Sequence, residues 1–204
     1  MKFLLSILAI CAVTSGSAFA GLTFSVTNSS GEPVRDVVVM FSGQGEAPVA
    51  EDFDWDISME QIDMQFTPYI LIAPVGSEVH FPNRDRVRHH VYSFSKGNRF
   101  ELKLYGKEET RTHTLENTGI VAIGCNIHDD MIGYIRVVDT AFAAKTDEAG
   151  EVTFDTPPAS ASALTLWHPD AATRSDMTLQ WDGQAETLSA IMDLTRPGPQ
   201  MAHH

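Results

Sequence analysis

The chain has 204 residues, 43% of them hydrophobic, with 27 acidic side chains against 14 basic ones and a formal net charge of −13 at pH 7. That length suits one large domain or two small ones. An acidic balance of this size argues against nucleic acid and anionic membranes as partners, and suits solubility and a basic protein partner.

Residues 1–20 read as a secretory leader. Lys2 supplies the positive start, Phe3 to Val13 an apolar stretch, and Ala18-Phe19-Ala20 a small-x-small cleavage site, so cleavage is expected after Ala20. The apolar stretch is too short to cross a bilayer, and no later segment is long and apolar enough to do so. Cys11 follows the bulky Ile10, where a lipid-anchored precursor would carry a small residue. The expectation is export to the periplasm with no stable membrane insertion.

After the leader, strand signals dominate. Leu22-Thr-Phe-Ser-Val-Thr27 alternates, a turn follows at Asn28 to Pro33, and Val37 to Phe41 is a continuous apolar run. Tyr69 to Ala73, Ser77 to Phe81, His90 to Phe94, Gly119 to Ile123 and Tyr134 to Val138 continue the series. Glu151 to Phe154, Ala163 to Trp167 and Thr187 to Met192 form a later group. Short strands separated by Gly, Pro, Asn and Asp turns predict an all-β sandwich or barrel.

In the acidic segment 51–64, Phe53, Trp55, Ile57 and Met59 alternate with Asp52, Asp54, Asp56 and Ser58, which predicts an edge strand with one apolar and one anionic face. The expected organisation is residues 1–20 as leader and 21–64 as N-terminal strands of a flanking sandwich plus an acidic connector. A central module follows at 65–139, and 140–204 holds the C-terminal strands of the flanking sandwich and the tail.

With the leader removed, Cys125 is the sole cysteine. Exported cysteines usually pair, and this one has no partner within the chain. It opens Cys125-Asn-Ile-His128-Asp-Asp-Met131, which sets a thiolate, an imidazole and a thioether in one short segment. A second imidazole lies upstream at His89, followed by His90. Two His, one Cys and a weak axial Met are the donor set of a type 1 copper site. The set His89, Cys125, His128 and Met131 is therefore the candidate ligand set for one copper ion cycling between Cu(I) and Cu(II). Zinc accepts N and S donors too. His80, His113 and His168 are read as surface, solvated and packing residues respectively.

Cys-x-x-His-x-x-Met resembles the ligand loop of amicyanin, and through it the cupredoxins. Asn83, six residues before His89, matches the Asn that precedes the first His ligand there, and can hydrogen-bond across to the ligand loop. The residue after that ligand is usually an Asn bracing the site; His90 occupies its place here, so His89 matches the ligand and His90 the brace. Phe81-Pro-Asn-Arg-Asp85, His89-His-Val-Tyr-Ser-Phe-Ser95, Gly124 to Ile135 and Trp167-His-Pro169 resemble exported bacterial proteins of the methylamine-utilisation type. The resemblance implies a cupredoxin-like Greek-key β-sandwich with flanking strands similar to carboxypeptidase-regulatory-like domains.

It also implies a non-enzymatic electron carrier, with His128 near the surface and a redox protein as partner; the acidic charge balance expects that partner to be basic. The alternatives are copper binding, delivery or storage without electron transfer, and a thiol enzyme using a Cys125–His pair.

Overall fold

The computed structural model describes residues 21–41, 48–158, 160–173 and 175–195. The expected leader, with Cys11, and the His203-His204 tail lie outside these residues.

The described chain is almost entirely β. Its first strands are β1 (Leu22–Thr27) and β2 (Val38–Phe41), and its last are β12 (Ala143–Lys145), β13 (Glu151–Phe154), β14 (Ala163–Trp167), β15 (Met177–Gln180) and β16 (Thr187–Ile191). These form two sheets, ordered β13-β1-β16 and β12-β2-β14-β15. Leu22, Phe24, Val39, Phe41, Leu164 and Leu166 fill the core between them.

The strands between lie in a second sandwich. Its larger sheet is ordered β5-β11-β10-β7-β8, from β5 (Ile70–Pro74), β7 (His89–Ser93), β8 (Phe100–Tyr105), β10 (Gly119–Cys125) and β11 (His128–Val138). Two antiparallel pairs oppose it: the hairpin of β3 (Glu60–Ile62) and β4 (Gln65–Thr67), and β6 (Glu78–Pro82) with β9 (Thr110–Thr114), which are distant in the chain. The chain leaves β8, crosses to pair β9 with β6, and returns as β10 beside β7, a Greek-key path.

The apolar runs of β2 and β5 have one explanation. Side chains alternate between faces, so a strand buried on both faces needs no polar positions. Val39 and Phe41 enter the flanking core, while Val38 and Met40 point to the seam between the sandwiches. On β5, Leu71 and Ala73 enter the central core, and Ile70 and Ile72 enter the seam. The free edge of β5 is closed by side chains: Trp55 Nε1 donates to the Ile72 carbonyl at 3.0 Å and Lys145 Nζ to the Ile70 carbonyl at 2.9 Å. Occupied carbonyls deny an incoming strand its partners.

The acidic segment departs from its sequence reading. Phe53, Ile57 and Met59 are buried and Asp52, Asp54 and Asp56 exposed, as the alternation implies, but Ala50–Asp52 is a short 3-10 helix and 53–59 forms no ladder. The apolar side chains anchor on Trp55 and the two cores, and the segment meets a strand only at its end, where Ser58 bridges His80 of β6 in parallel. The turn at 63–64 joins β3 to β4, and Ile57, Met59 and Phe66 share the central core. Strands β8 and β9 were not legible: β9 is the polar run Thr-Arg-Thr-His-Thr, made extended by its pairing with β6.

Candidate metal centre

Strand β10 ends at Cys125 and β11 begins at His128, joined through Asn126 and Ile127. Cys125 and His128 are cross-strand partners, with a register shift between Gly124 and Cys125. A tight hairpin places opposed side chains close together, and here the Cys125 sulfur lies 3.4 Å from His128 Nδ1. The third donor arrives through sheet pairing. Gly124 pairs with Tyr92 on β7, which brings the first residue of that strand beside the end of β10. His89 Nδ1 then lies 3.8 Å from Cys125 Sγ.

The three donor atoms of His89, Cys125 and His128 all lie within 4.8 Å of one another. A metal bound at about 2.0–2.3 Å to nitrogen and sulfur, with angles near 110–120°, holds those atoms about 3.5–3.8 Å apart. The observed sulfur–nitrogen separations match this, so the residues fit a metal ion. A soft thiolate with two imidazoles suits copper or zinc. His89 is fully buried and Cys125 is 4% exposed, while His128 is half-buried. Met131 lies on β11 at 2% exposure, in the core cluster that also holds Cys125.

Adjacent positions on β7 diverge as a strand requires. His89 turns inward. His90 turns to the other face, where Nε2 meets Glu101 Oε1 at 2.9 Å. It therefore does not brace the three-donor cluster, a correction to the role its position implied. Asn83 also differs from expectation. Its Nδ2 donates to the Val87 carbonyl at 2.9 Å and the Tyr105 carbonyl at 3.3 Å, and its Oδ1 accepts from the Asp85 amide at 2.9 Å. It fastens the loop leading into His89 to β8, on the near side of the site, because that loop folds back over its own start.

Two groups around the cluster gave no sequence signal. Asp85 Oδ2 lies 2.7 Å from His89 Nε2, the ring nitrogen facing away from sulfur. The buried Tyr105 hydroxyl donates to Gln61 Oε1 and is within 2.9 Å of the Phe81 carbonyl. Burial pushes the Tyr105 phenol far above its ordinary range, so it stays a neutral donor.

Among the described residues, the other histidines stand apart from the cluster. His80 is exposed. His113 is stacked on Phe100 at 4.1 Å rather than freely solvated, and burial lowers its pKa. His168 Nδ1 accepts from the Asp170 amide at 3.1 Å, a turn and packing role, and burial lowers its pKa as well.

No family model and no curated protein matches the chain. Solved structures do. A Cu-containing nitrite reductase from Thermus scotoductus SA-01 is 26% identical with a TM-score of 0.40, over 42% of this chain and 23% of that one. A purple cupredoxin from Nitrosopumilus maritimus is 21% identical with a TM-score of 0.37, over 40% of this chain and 99% of that one. A reduced amicyanin variant is 22% identical with a TM-score of 0.38, over 48% of this chain and 97% of that one. The chain thus spans about a quarter of the reductase and nearly all of the two cupredoxins.

Proposed function

We propose that the chain is an exported, periplasmic mononuclear copper protein that passes single electrons between redox partners. The supporting observation is the convergence of His89, Cys125 and His128 from two distant segments onto one metal-sized volume. In this reading those three residues and Met131 are the ligands. Copper, when bound, supplies a one-electron couple between Cu(I) and Cu(II).

The protein's part is to hold the donors still and dry. Cys125 and Met131 sit in a packed core, and His89 is enclosed on every side. Such a cage changes little when charge changes, which keeps the cost of electron movement small. His128 alone reaches toward solvent, so its ring is the route in and out. No substrate is turned over.

The test is to add Cu(II) to the purified mature protein and record the absorption and EPR spectra, then a voltammogram. An intense thiolate-to-copper band and a reversible one-electron wave are expected. Absence of the band overturns the site class. A band without a reversible wave assigns the chain to copper delivery or storage. Colourless binding with preference for zinc removes the redox role.

The topology supports a docking surface at one end of the sandwich. Strand β7 begins where β10 ends, so the loop before His89 and the Cys125–His128 hairpin share one end of the sandwich. That end carries exposed Val87 and Ile127, with exposed Asp129 and Asp130 beside His128. Carboxylates at a docking rim are best matched by a basic redox protein, which the net charge of −13 also steers inward. Electron transfer to that partner is expected to slow as salt rises, because screening shortens the reach of surface charge. Asp129→Asn combined with Asp130→Asn should lower the second-order rate and leave the spectrum nearly unchanged. A salt-independent rate that ignores both changes removes these acids from the contact.

A further inference from the structure

The Asp85 carboxylate is surrounded by donors. His89 Nε2 lies 2.7 Å from Oδ2, the Met64 amide donates to the same oxygen at 2.9 Å, and the Asp63 amide donates to Oδ1 at 2.7 Å. The Asp85 side chain is 12% exposed and that of His89 is 0% exposed. Of the three donors only His89 is a side chain, and its other ring nitrogen is the one 3.8 Å from Cys125 Sγ.

From this juxtaposition we propose that Asp85 is the positioning residue of the metal centre. Its carboxylate keeps the His89 proton on Nε2, leaves Nδ1 as the ligand atom, and favours the more highly charged metal state. This rests on the copper reading above.

The chemistry is direct. Neutral imidazole carries one proton, and the nitrogen that carries it cannot bind a metal. A carboxylate at 2.7 Å makes a charge-assisted hydrogen bond that selects the Nε2–H form and fixes the ring plane. It also draws the proton away from the ring and so raises the electron density at Nδ1. In surroundings this poorly solvated the negative charge is felt strongly at the metal position. A Cu(II) ion gains more from that charge than a Cu(I) ion does.

The turn at residues 63–64 shows what holds Asp85 in place. Asp63 and Met64 have φ of 52° and 58°, the left-handed region, and neither is glycine. Left-handed backbone is unfavourable for a residue with a side chain unless its surroundings compensate. The conformation points both amides at one carboxylate, as in an anion-binding nest. The β3–β4 turn thus grips Asp85, and Asp85 grips His89. Met64 itself is 54% exposed, so the grip begins on the protein surface.

The test uses the full mature chain with Asp85→Asn and Asp85→Glu. In the metal-free protein, long-range proton–nitrogen NMR reads the His89 tautomer. The native protein is expected to show a single Nε2–H form, and Asp85→Asn a mixture of both. With copper added, Cu(II) affinity should fall about 10- to 100-fold in Asp85→Asn, the usual range for losing a partner of a ligating histidine. Cu(I) affinity should fall less, so the reduction potential rises. Each tenfold difference between the two losses corresponds to about 59 mV. Asp85→Glu restores the charge and should return the potential toward the native value.

An unchanged tautomer with unchanged affinity and potential overturns the proposal, even if thermal stability drops, because the carboxylate then only caps the turn. Failure of the copper reading is seen separately, as a native protein that forms no thiolate–copper band while the tautomer measurement is still readable.

Discussion

Cys125→Ser is expected to abolish the intense visible band and tight Cu(I) binding together. The sulfur is the one soft anionic donor in the cluster, 3.4 Å from one imidazole nitrogen and 3.8 Å from the other. A serine hydroxyl stays protonated at neutral pH and is a hard donor, so neither the charge-transfer partner nor the Cu(I) preference survives. The loss should exceed the roughly 10- to 100-fold that follows removal of a ligand's hydrogen-bond partner. The fold should persist. Cys125 is 4% exposed and serine is nearly the same size, so the metal-free protein should lose only about 1–3 kcal/mol for burying a hydroxyl. Absorption, competitive Cu(I) titration and metal-free thermal unfolding measure the three effects. A retained band would show that sulfur is not a ligand.

His89→Ala and His90→Ala should separate cleanly. Removing His89 takes a donor from the three-atom cluster and leaves Asp85 without its side-chain partner, so the copper spectrum should be lost or converted to a different class. Metal-free stability should fall by about 1–3 kcal/mol, since a buried charged acceptor loses a partner. Removing His90 breaks its contact with Glu101, whose side chain is 63% exposed. Pairs of that kind contribute about 0–1 kcal/mol, and the spectrum should only be perturbed. The reverse pattern would require β7 to be shifted by one residue, which its pairing of His89 with Tyr105 and Ser93 with Phe100 does not allow.

The sandwich character of the chain was legible in its strands because half-buried strands carry their own period. β1 alternates between buried and half-buried positions along Leu22 to Thr27, and β13 and β14 alternate similarly. Edge strands were less visible. β8 reads Phe-Glu-Leu-Lys-Leu-Tyr with only its two ends buried, and β9 has no apolar residue at all. Their extended form comes from β7 and β6, and a neighbour leaves no mark on composition. Asp129 and Asp130, exposed beside His128, were visible for the same local reason as the hairpin they follow.

By itself the sequence determined the donor chemistry and half of its geometry. Cys125 and His128 are three residues apart, and a hairpin that short admits few arrangements, so their meeting was readable from spacing. Met131 follows on the same strand, buried in the same core as Cys125. Tertiary structure alone decided the rest. His89 reaches the sulfur only because β7 pairs with β10, and sheet pairing is a long-range choice that no local spacing encodes. It also decided between His89 and His90, since strand register sets which face each side chain takes. The Asp85 contact was beyond reach for the same reason: a carboxylate four residues before a histidine is unremarkable in a sequence. It meets that ring only when the loop is fastened by Asn83 and held by the amides of Asp63 and Met64, 22 and 21 residues earlier. Contacts between segments that fold back on one another depend on the path of the whole chain, and that path exists only in three dimensions.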